Sequence, residues 1–380
     1  MRLLVFLIKW GFPLLVVTDM GTTVFANPAL LNISRGVRMF ILLLFIFENI
    51  KYLKTIRKFY FAKFLFIFAL IHFFYIFTDP IFMEGVWQFA KVLFWILGLN
   101  VLFVYGYKNR LTLYDFEKVI KRIAVIAFLF TGIYYITGLL ESDYNAAAYT
   151  GVFIYPFLLY TSNNFKKNKF YILLVAITVM VTIKRGAVLA FLATNVVFYF
   201  WSLFTQFNLK KFVLGLTLLT VVSFVGFYFI MQQADRVEDR FSEEQMDLSN
   251  PKAGSGRVGL YTGLFLEWIE SNNIIFGFGN QADSHRWGGL RRTVAHSDIF
   301  GYLYNFGLIG ISLIFIFYVI IIKFYNRYKK IDSENSSIII AVLVALVLVN
   351  IYSGVFRAQE VLYLFSVFPY FQLQQKININ

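Results

Sequence analysis

Apolar runs recur along the whole chain and are separated by short polar segments. Runs of about 18 to 25 residues have the length that a helix needs to cross the hydrocarbon core of a bilayer. The pattern therefore predicts an all-α polytopic membrane protein with about twelve transmembrane helices. The predicted helices are Leu3–Val17, Val37–Ile50, Tyr60–Phe77, Trp87–Tyr105, Ile120–Leu140, Ala147–Leu159, Tyr171–Ile183, Ala187–Phe204, Phe212–Met231, Ile299–Ile322, Ile338–Tyr352 and Leu362–Leu373.

The amino-acid composition supports this prediction. Hydrophobic residues make up 59% of the 380-residue chain, charged residues only 15%, and the mean hydropathy is +0.68. A soluble globular domain carries about 25% charged residues, so this chain has too few charges to cover a water-facing surface. Cysteine is absent, which excludes disulfides and thiolate chemistry, and three histidines argue against a histidine-built metal centre.

The net charge of +14 is carried mainly by alternate loops, an arrangement that follows the positive-inside rule and argues against nucleic-acid binding. The intervening loops, such as residues 78–85 and 141–145, are neutral or acidic. The bias predicts a bacterial inner-membrane protein with both termini in the cytoplasm. The basic loops carry Lys51, Lys54, Arg57, Lys58, Lys108, Arg110, Lys118, Lys121, Arg122, Lys166, Lys167, Lys169, Lys210, Lys211, Lys323, Arg327, Lys329 and Lys330.

The N-terminal apolar run also has some features of a cleavable signal peptide, including a basic start and the triplet Val24–Ala26. Lys9 interrupts the run, however, and the triplet lies well beyond its end. Removal of this segment would also leave an odd number of helices. We therefore expect the first helix to be retained.

One segment on the predicted extracytoplasmic side, residues 232–298, is far longer than an ordinary helix connection and is rich in charged residues. Within it, Val258–Ile269 has the spacing of an apolar-faced helix, which predicts a structured loop lying on the membrane. The chain is therefore divided into transmembrane residues 1–231, a large loop at 232–298 and transmembrane residues 299–380. An acidic run at residues 235–247 is expected to be a solvated face.

Four short motifs contain the residues most suited to chemistry. They are Lys184-Arg185-Gly186-Ala187, Gly254-Ser255-Gly256-Arg257, Phe276-Gly277-Phe278-Gly279-Asn280, and Ala295-His296-Ser297-Asp298 with Gly307-Leu308-Ile309-Gly310 in the following helix. The second motif satisfies the GxGxxG dinucleotide fingerprint, but no strand precedes it, which excludes a Rossmann site. Its small residues instead allow helix N–H groups to approach an anion, with Ser255 as the helix cap.

The order and spacing of these motifs resemble the Wzy/WaaL superfamily of O-antigen polymerases, O-antigen ligases and related O-oligosaccharyltransferases. Members show S-G-R before a helix, a turn of the N-x-(I/L)-x-G-x-G kind, and a histidine that opens a helix soon reading G-L-I-G. The (S/K)-R-G-A motif between two helices and the long loop before a late helix also match. The resemblance implies a GT-C-like helical bundle.

The activity implied by the resemblance is that of an O-antigen polymerase that needs no cofactor and no metal. Such an enzyme transfers a glycan from undecaprenyl pyrophosphate to a sugar hydroxyl of another lipid-linked repeat unit, with inversion at the anomeric carbon. The expected partners are the lipid-linked donor and acceptor, membrane lipids and a chain-length regulator protein, without nucleic acid. The active site is expected on the periplasmic face.

Two alternatives stay open. An O-antigen ligase would use the same donor and transfer the glycan to lipid A–core. A lipid-linked glycan transporter or flippase would have internal repeats and ionisable residues at the bilayer midplane, whereas here the ionisable residues cluster at the outer face.

The resemblance assigns roles to individual residues. Arg185 and Arg257 would bind the pyrophosphate, assisted by Lys184, because a guanidinium offers a permanent charge and a bidentate fork. His296 would be the general base that activates the acceptor hydroxyl, and Asp298 would orient its imidazole or cap the helix. Binding of lipid headgroups is the alternative role for Lys184, Arg185 and His296.

A second group of residues consists of further candidates for substrate binding. These candidates are Ser255, Tyr261, Arg291, Arg292, Arg35 and Arg38. Headgroup anchoring explains Arg35 and Arg38 nearly as well, and a solvated surface explains Arg291 and Arg292 about as well. His285 is expected to be a loop residue, and His72, which lies among aromatic residues in a helix, is expected to be structural.

Overall fold

The computed structural model describes residues 2–25, 28–137, 145–161, 168–182, 184–205, 253–285, 296–356 and 358–377, in which all regular secondary structure is helical. The elements before residue 206 are α1 (Arg2–Phe6), a π-helical segment (Leu7–Gly11), α2 (Phe12–Phe25), α3 (Pro28–Lys51), α4 (Leu53–Ile56), α5 (Ala62–Tyr75), a 3-10 turn (Ile76–Thr78), α6 (Phe82–Tyr107), α7 (Leu113–Ile136), α8 (Asn145–Thr161), α9 (Lys169–Val181) and α10 (Arg185–Thr205). The elements after residue 252 are α11 (Ala253–Glu270), α12 (Ala282–His285), α13 (Asp298–Tyr328), α14 (Ser333–Tyr352), α15 (Val361–Phe365) and α16 (Val367–Ile377).

Six helical stretches in the described residues are long and apolar enough to cross a membrane, and the shorter apolar helices α5, α8, α9 and α10 accompany them. The six are Arg2–Thr22, Ala29–Lys51, Phe82–Tyr107, Leu113–Ile136, Asp298–Tyr328 and Asn335–Tyr352. Every helix predicted within the described residues has a helical counterpart, and the predicted helix Phe212–Met231 lies outside them. The protein is therefore an all-α multi-pass membrane protein, which confirms the predicted fold class.

The second predicted helix begins earlier than its apolar pattern indicated, at Pro28 rather than at Val37. Polar residues interrupt the apolar pattern between Asn32 and Arg38, and α2 satisfies two of these side chains. Asp19 on α2 accepts a hydrogen bond from the Ser34 hydroxyl at 2.6 Å and another from the Arg38 guanidinium. Because these groups are paired inside the bundle, the helix extends through residues that an apolar pattern excludes.

Two further predicted boundaries are wrong for local reasons. The helix predicted to start at Ile120 extends back to Leu113, because Thr112 and Asp115 form a capping box at its start. The last predicted helix is interrupted at Ser366, between α15 and α16, where the hydroxyl of Ser366 donates to the Tyr363 carbonyl at 2.6 Å.

Basic residues of the predicted inner loops lie together at one end of the bundle, which we call the basic end. Arg110 donates to the Tyr52 hydroxyl at 2.9 Å and thereby lowers the pKa of that tyrosine. The ammonium of Lys108 lies 3.8 Å from the centre of the same ring, and that of Lys58 lies 5.2 Å from the ring of Tyr107. The opposite end, formed by the starts of α8, α10 and α13 and the end of α14, is called the site end.

Aromatic side chains join the helices in the interior. Phe61 before α5 stacks on Phe368 of α16 with centroids 4.7 Å apart, and Phe64 of α5 stacks on Phe317 of α13 at 5.0 Å. Such pairs contribute about 0.5 to 1.5 kcal/mol each beyond the area they bury. They hold the late helices against the early ones, so residues distant in sequence form one bundle.

Helix α13 is interrupted at Gly307, which has φ +61° and ψ −149°, a conformation that is strained for any other residue. The break removes the helical hydrogen-bond partners of two following amides. The Leu308 N–H donates instead to the Ile274 carbonyl at 3.0 Å, and the Ile309 N–H donates to the Ile275 carbonyl at 3.3 Å. A segment of the large loop is therefore hydrogen-bonded directly into a membrane-spanning helix.

The same part of the loop is held by the connection between α5 and α6. The buried carboxylate of Asp79 accepts hydrogen bonds from the side-chain amides of Asn280 and Gln281, both at 2.8 Å. Asn305 of α13 exchanges two hydrogen bonds with Asp283, at 2.7 and 2.8 Å. The described part of the large loop is thus folded onto the transmembrane bundle.

Candidate functional site

The K-R-G-A motif lies at the start of α10, where α10 packs against the end of α14 and the start of α8. A side-chain carbon at Gly186 would lie 2.6 Å from Cβ of Tyr352 and 3.0 Å from the Tyr149 hydroxyl oxygen. A larger residue would have to displace these neighbours. The glycine therefore sets how closely the two half-buried cations before it, Lys184 and Arg185, approach the end of α14.

Arg257 of the S-G-R motif reaches the same point from α11. Its Nη1 donates to the backbone carbonyl of Tyr352, the last residue of α14, at 3.2 Å. Carbonyls in the last turn of a helix lack intrahelical partners and carry a partial negative charge. Arg257 therefore stabilises the end of α14, and this bond uses one of the five N–H donors of its guanidinium.

Tyr149 and Ser353 complete the centre of this cluster. The Tyr149 hydroxyl shares a side-chain hydrogen bond with Ser353 and lies within electrostatic range of Arg257. Since Gly186 contacts both Tyr149 and Tyr352, two motifs far apart in sequence meet around the residues 352 and 353. We call the group Gly186, Arg257, Tyr149, Tyr352 and Ser353 the arginine cluster.

The histidine motif is connected to this cluster through Tyr261, which lies one helical turn after Arg257 on the same face of α11. Its hydroxyl donates to the backbone carbonyl of His296 at 2.9 Å, and its ring stacks on Phe300 with centroids 4.5 Å apart. Burial raises the pKa of Tyr261 to about 12, so the hydroxyl keeps its proton at neutral pH and donates. His296 itself is exposed just before α13.

The start of α13 corrects the predicted role of Asp298. Ser297 is the residue that caps the helix, and its hydroxyl also donates to the Asn350 carbonyl at 2.9 Å. The buried Asp298 carboxylate accepts hydrogen bonds from the backbone N–H groups of Val355 and Phe356. Asp298 therefore fixes the chain that follows α14, the segment containing Ser353.

A cavity of about 210 Å³ lies beside the arginine cluster. Its lining includes Tyr149, Ser353 and Gly354 together with the acidic residues Asp19 and Glu360. The cavity, which we call the end cavity, therefore combines acidic and hydroxyl groups with a mainly apolar lining that includes Val16, Met20 and Phe153. The hydroxyl groups of a sugar both donate and accept hydrogen bonds, and the carboxylates and hydroxyl groups of the cavity can supply partners for both.

The two carboxylates are held by a network of charged and polar side chains. Arg38 donates to Asp19 and lies 3.9 Å from Glu360, measured from Nη2 to Oε1. Glu360 also accepts a hydrogen bond from the Gln359 amide at 2.8 Å, and Asp19 accepts one from Ser34. Arg38, predicted to bind substrate, is therefore engaged with the carboxylates that line the end cavity.

The remaining predicted substrate-binding residues are Arg35, Ser255, Arg291 and Arg292. Arg35 is exposed, with its guanidinium carbon 5.6 Å from the ring centre of Trp87. Ser255 lies within the first turn of α11, which begins at Ala253, so the prediction that it caps this helix is wrong. The basic residues Arg291 and Arg292 lie outside the described residues.

His72 and His285 are the two other histidines of the chain. His72 is buried, with its ring nitrogens 2.9 Å from the Phe68 carbonyl and 2.9 Å from the Tyr302 hydroxyl. The first contact lies within α5 and the second joins α5 to α13, in agreement with a structural role. The His285 backbone ends the short helix α12.

Sequence reasoning missed Tyr149, Ser353, Asp19 and Glu360. For the two carboxylates a signal was present, because an acidic residue inside or beside an apolar helix is costly in a membrane and therefore suggests a function. Tyr149 and Ser353 had no such signal, since tyrosine and serine are common at helix ends in membrane proteins. Only the packing of α8, α10 and α14 identifies them.

The fold and the site define a class of protein: a multi-pass all-α membrane protein with arginines, tyrosines and carboxylates grouped at one end of the bundle. Residues 170–315, less than half of the chain, match a family model described as O-antigen ligase. The match supports the Wzy/WaaL superfamily and an enzyme of the O-antigen polymerase or ligase kind, without separating the two activities, and it does not favour a transporter. Comparison with curated proteins finds no matching relative.

Proposed function

We propose that the protein is an O-antigen or surface-polysaccharide polymerase that works at the site end. It would transfer a glycan from undecaprenyl pyrophosphate to a sugar hydroxyl of a second lipid-linked repeat unit. The observation that carries the proposal is the meeting of the K-R-G-A, S-G-R and histidine motifs around the end of α14, beside the end cavity. Each motif alone is common, and their convergence is what indicates one active site.

The donor pyrophosphate would lie against Arg257 and Arg185. Attack on the anomeric carbon breaks its bond to the pyrophosphate oxygen, and negative charge accumulates on the leaving group. Guanidinium groups held in place before the reaction stabilise that charge without reorganisation. The hydrogen bond from Arg257 to Tyr352 holds one edge of the guanidinium, which favours a fixed orientation of the rest.

The acceptor hydroxyl would enter the end cavity and lose its proton as its oxygen forms the new bond. Glu360 is the proton acceptor that we propose, because its carboxylate lines the cavity and one of its oxygens is oriented by Gln359. His296, the base predicted from the sequence, would then bind the acceptor sugar from its exposed position before α13. Attack opposite the leaving group inverts the configuration of the anomeric carbon.

The chemistry implies an orientation in the membrane. The assembled lipid-linked substrates are on the periplasmic face, so the site end would face the periplasm. The basic end would face the cytoplasm, with both chain termini there, as the positive-inside rule expects. A chain-length regulator would then contact the protein within the membrane or on its periplasmic surface.

An O-antigen ligase is the second candidate function, and it is the activity that the description of the matching family model names. The same arginines and cavity would serve this reaction, because the donor is shared and only the acceptor differs. A ligase would transfer the glycan to lipid A–core in a single step. A polymerase would produce a ladder of lipid-linked chains.

The experiment that tests the proposal is Arg257→Lys, which keeps the charge and loses the planar bidentate fork. Loss of one such stabilising group typically lowers the rate by about 10² to 10³. The purified protein would be given a defined lipid-linked repeat, with and without lipid A–core, and the products separated by size. Arg327→Lys, at an exposed position near the basic end, is the matched control.

A ladder in the absence of lipid A–core identifies a polymerase, and products that require lipid A–core identify a ligase. Wild-type rates from both Arg257→Lys and Arg257→Ala at normal protein abundance would contradict the assignment of the donor site. The absence of transfer by the wild-type protein to either acceptor would contradict the proposed function as a whole.

A further inference from the structure

A groove of about 600 Å³ lies between α2, α7 and α9 near the basic end, and it shares no lining residue with the end cavity. Three cations line it, namely Lys118, Lys121 and Arg122, all on α7. Spacings of three and four residues place these side chains on one face of the helix. The groove therefore has a concentrated positive charge on one wall.

Aromatic rings face these cations from the neighbouring helices. The guanidinium carbon of Arg122 lies 3.8 Å from the ring centre of Trp10, and the Lys121 ammonium lies 5.2 Å from that of Tyr171. The Arg122 Nη1 also donates to the backbone carbonyl of Lys9 at 2.8 Å. Arg122 and Lys121 are thus held in position by contacts with neighbouring helices.

The positive charge of the groove is only partly balanced. Lys121 pairs with Glu117 at 2.8 Å, one turn earlier on the same helix. Within the part of the chain that the structure describes, neither Lys118 nor Arg122 lies within 4.0 Å of a carboxylate oxygen. Two cations therefore face the groove without a carboxylate in salt-bridge contact.

One turn deeper along α7 the character of the wall changes. Val125 and Ile126 follow Arg122 on this face, and Leu14 and Val17 of α2 lie opposite. Leu14 is exposed at the outer side of the groove, where the bundle meets hydrocarbon. The groove thus has a cationic part near the end of the bundle and an apolar part towards its middle.

We propose that this groove binds an anionic glycerophospholipid. The phosphate of the headgroup would contact Lys118 and Arg122, and an acyl chain would lie against the apolar wall formed by Leu14, Val17 and Val125. The cations at one end of the groove suit an anionic headgroup, and the apolar wall beyond them suits an acyl chain. Together they favour an amphiphile with an anionic headgroup. Basic pockets between transmembrane helices bind lipid headgroups in this manner. The inference is independent of the proposed enzymatic function.

The experiment measures the affinity of the full-length protein, in neutral detergent, for a fluorescent phosphatidylglycerol. One exposed cation near a lipid headgroup is worth a factor of about five in affinity. Lys118→Gln should therefore weaken binding about five-fold, and the variant with Lys118, Lys121 and Arg122 all changed to Gln by about ten-fold or more. Lys118 is exposed, so its replacement should leave the melting temperature unchanged.

A matched control removes the same number of charges at the same end of the protein. Its three exposed lysines, Lys323, Lys329 and Lys330, are changed to Gln. An equal loss of affinity in this control would overturn the proposal, because general surface charge would then explain the binding. Wild-type affinity in the groove variant would overturn it as well.

Competition with unlabelled lipids identifies the occupant. Phosphatidylglycerol should displace the probe at least about ten-fold better than phosphatidylcholine, since the zwitterionic headgroup carries no net charge. Equal displacement by the two lipids would contradict the proposal. So would a much stronger displacement by undecaprenyl phosphate than by phosphatidylglycerol, because the groove would then be a site for the carrier lipid.

Discussion

The assignment of Glu360 as the proton acceptor predicts a large loss of turnover in Glu360→Gln. Glutamine keeps the shape of the side chain and its place at the wall of the end cavity, and it cannot accept the proton of the attacking hydroxyl. Loss of a general base typically lowers the rate by about 10² to 10⁴. The affinity for the donor should remain, since the pyrophosphate contacts are assigned to Arg257 and Arg185.

The surroundings of Glu360 indicate that this variant will fold. Its oxygen lies 3.9 Å from the Arg38 guanidinium, and its side chain is 28% exposed, so the ion pair contributes about 1 kcal/mol or less. Asp19 differs, because it pairs closely with Arg38, whose side chain is only 9% exposed. Asp19→Asn leaves that cation without its main partner, and we expect a loss of about 3 kcal/mol. Glu360→Gln is therefore the cleaner test of chemistry.

His296→Ala supplies the comparison. His296 is exposed before α13, so its removal should change the free energy of unfolding by no more than about 0.5 kcal/mol. If the histidine binds the acceptor sugar, the variant should need more acceptor for half-maximal rate and should recover turnover at saturation. His296→Gln, which keeps a hydrogen-bonding amide, should retain more activity than His296→Ala.

The assay uses purified protein with a defined lipid-linked repeat, varying donor and acceptor separately, and Lys323→Gln at the basic end as the control. Near-normal turnover of Glu360→Gln at saturating acceptor would refute the assignment of the base. A collapse of turnover in His296→Ala under the same conditions would return the role to the histidine predicted from the sequence. Near-normal turnover of both variants would leave substrate positioning and arginine electrostatics as the catalytic factors.

Two further predictions concern the fold and its orientation. Gly307→Ala should lower the melting temperature, because a positive φ costs an L-residue about 1 to 2 kcal/mol and the new Cβ would lie 2.5 Å from the carbonyl oxygens of Ile274 and Ile275. Gly132→Ala is the control, since a Cβ at that position meets no atom within 4 Å. A Gly307→Ala variant that melts at the wild-type temperature would refute the strain argument. Reporter fusions within residues 323–330 should show a cytoplasmic location, and fusions within residues 286–295 a periplasmic one; a cytoplasmic signal from the second position would exclude the proposed mechanism.

The sequence predicted the fold well where the signal was the length of an apolar run. It failed at the start of α3, because Ser34 and Arg38 are satisfied by Asp19, a partner on another helix that no local pattern reveals. The division of the chain at residues 231 and 298 stays a prediction, since much of the large loop lies outside the described residues.

For the candidate site, the motifs named Arg185, Arg257 and His296, and the structure adds how they are related. Arg257 and the K-R-G-A motif meet at Tyr352, a residue that has no unusual feature in the sequence. Glu360 could have been selected as a carboxylate beside an apolar run, but its place in a cavity depends on how the last helices return to α2 and α8. Contacts between distant segments are what sequence patterns cannot supply.

The break in α13 has a consequence for how this protein is made. A backbone N–H left without a partner inside hydrocarbon costs several kcal/mol, and the broken helix cannot supply partners for Leu308 and Ile309 from its own turns. The carbonyls that accept these bonds belong to Ile274 and Ile275, which leave the ribosome before α13 does. The final form of α13 therefore depends on hydrogen bonds to a segment that is synthesised before it.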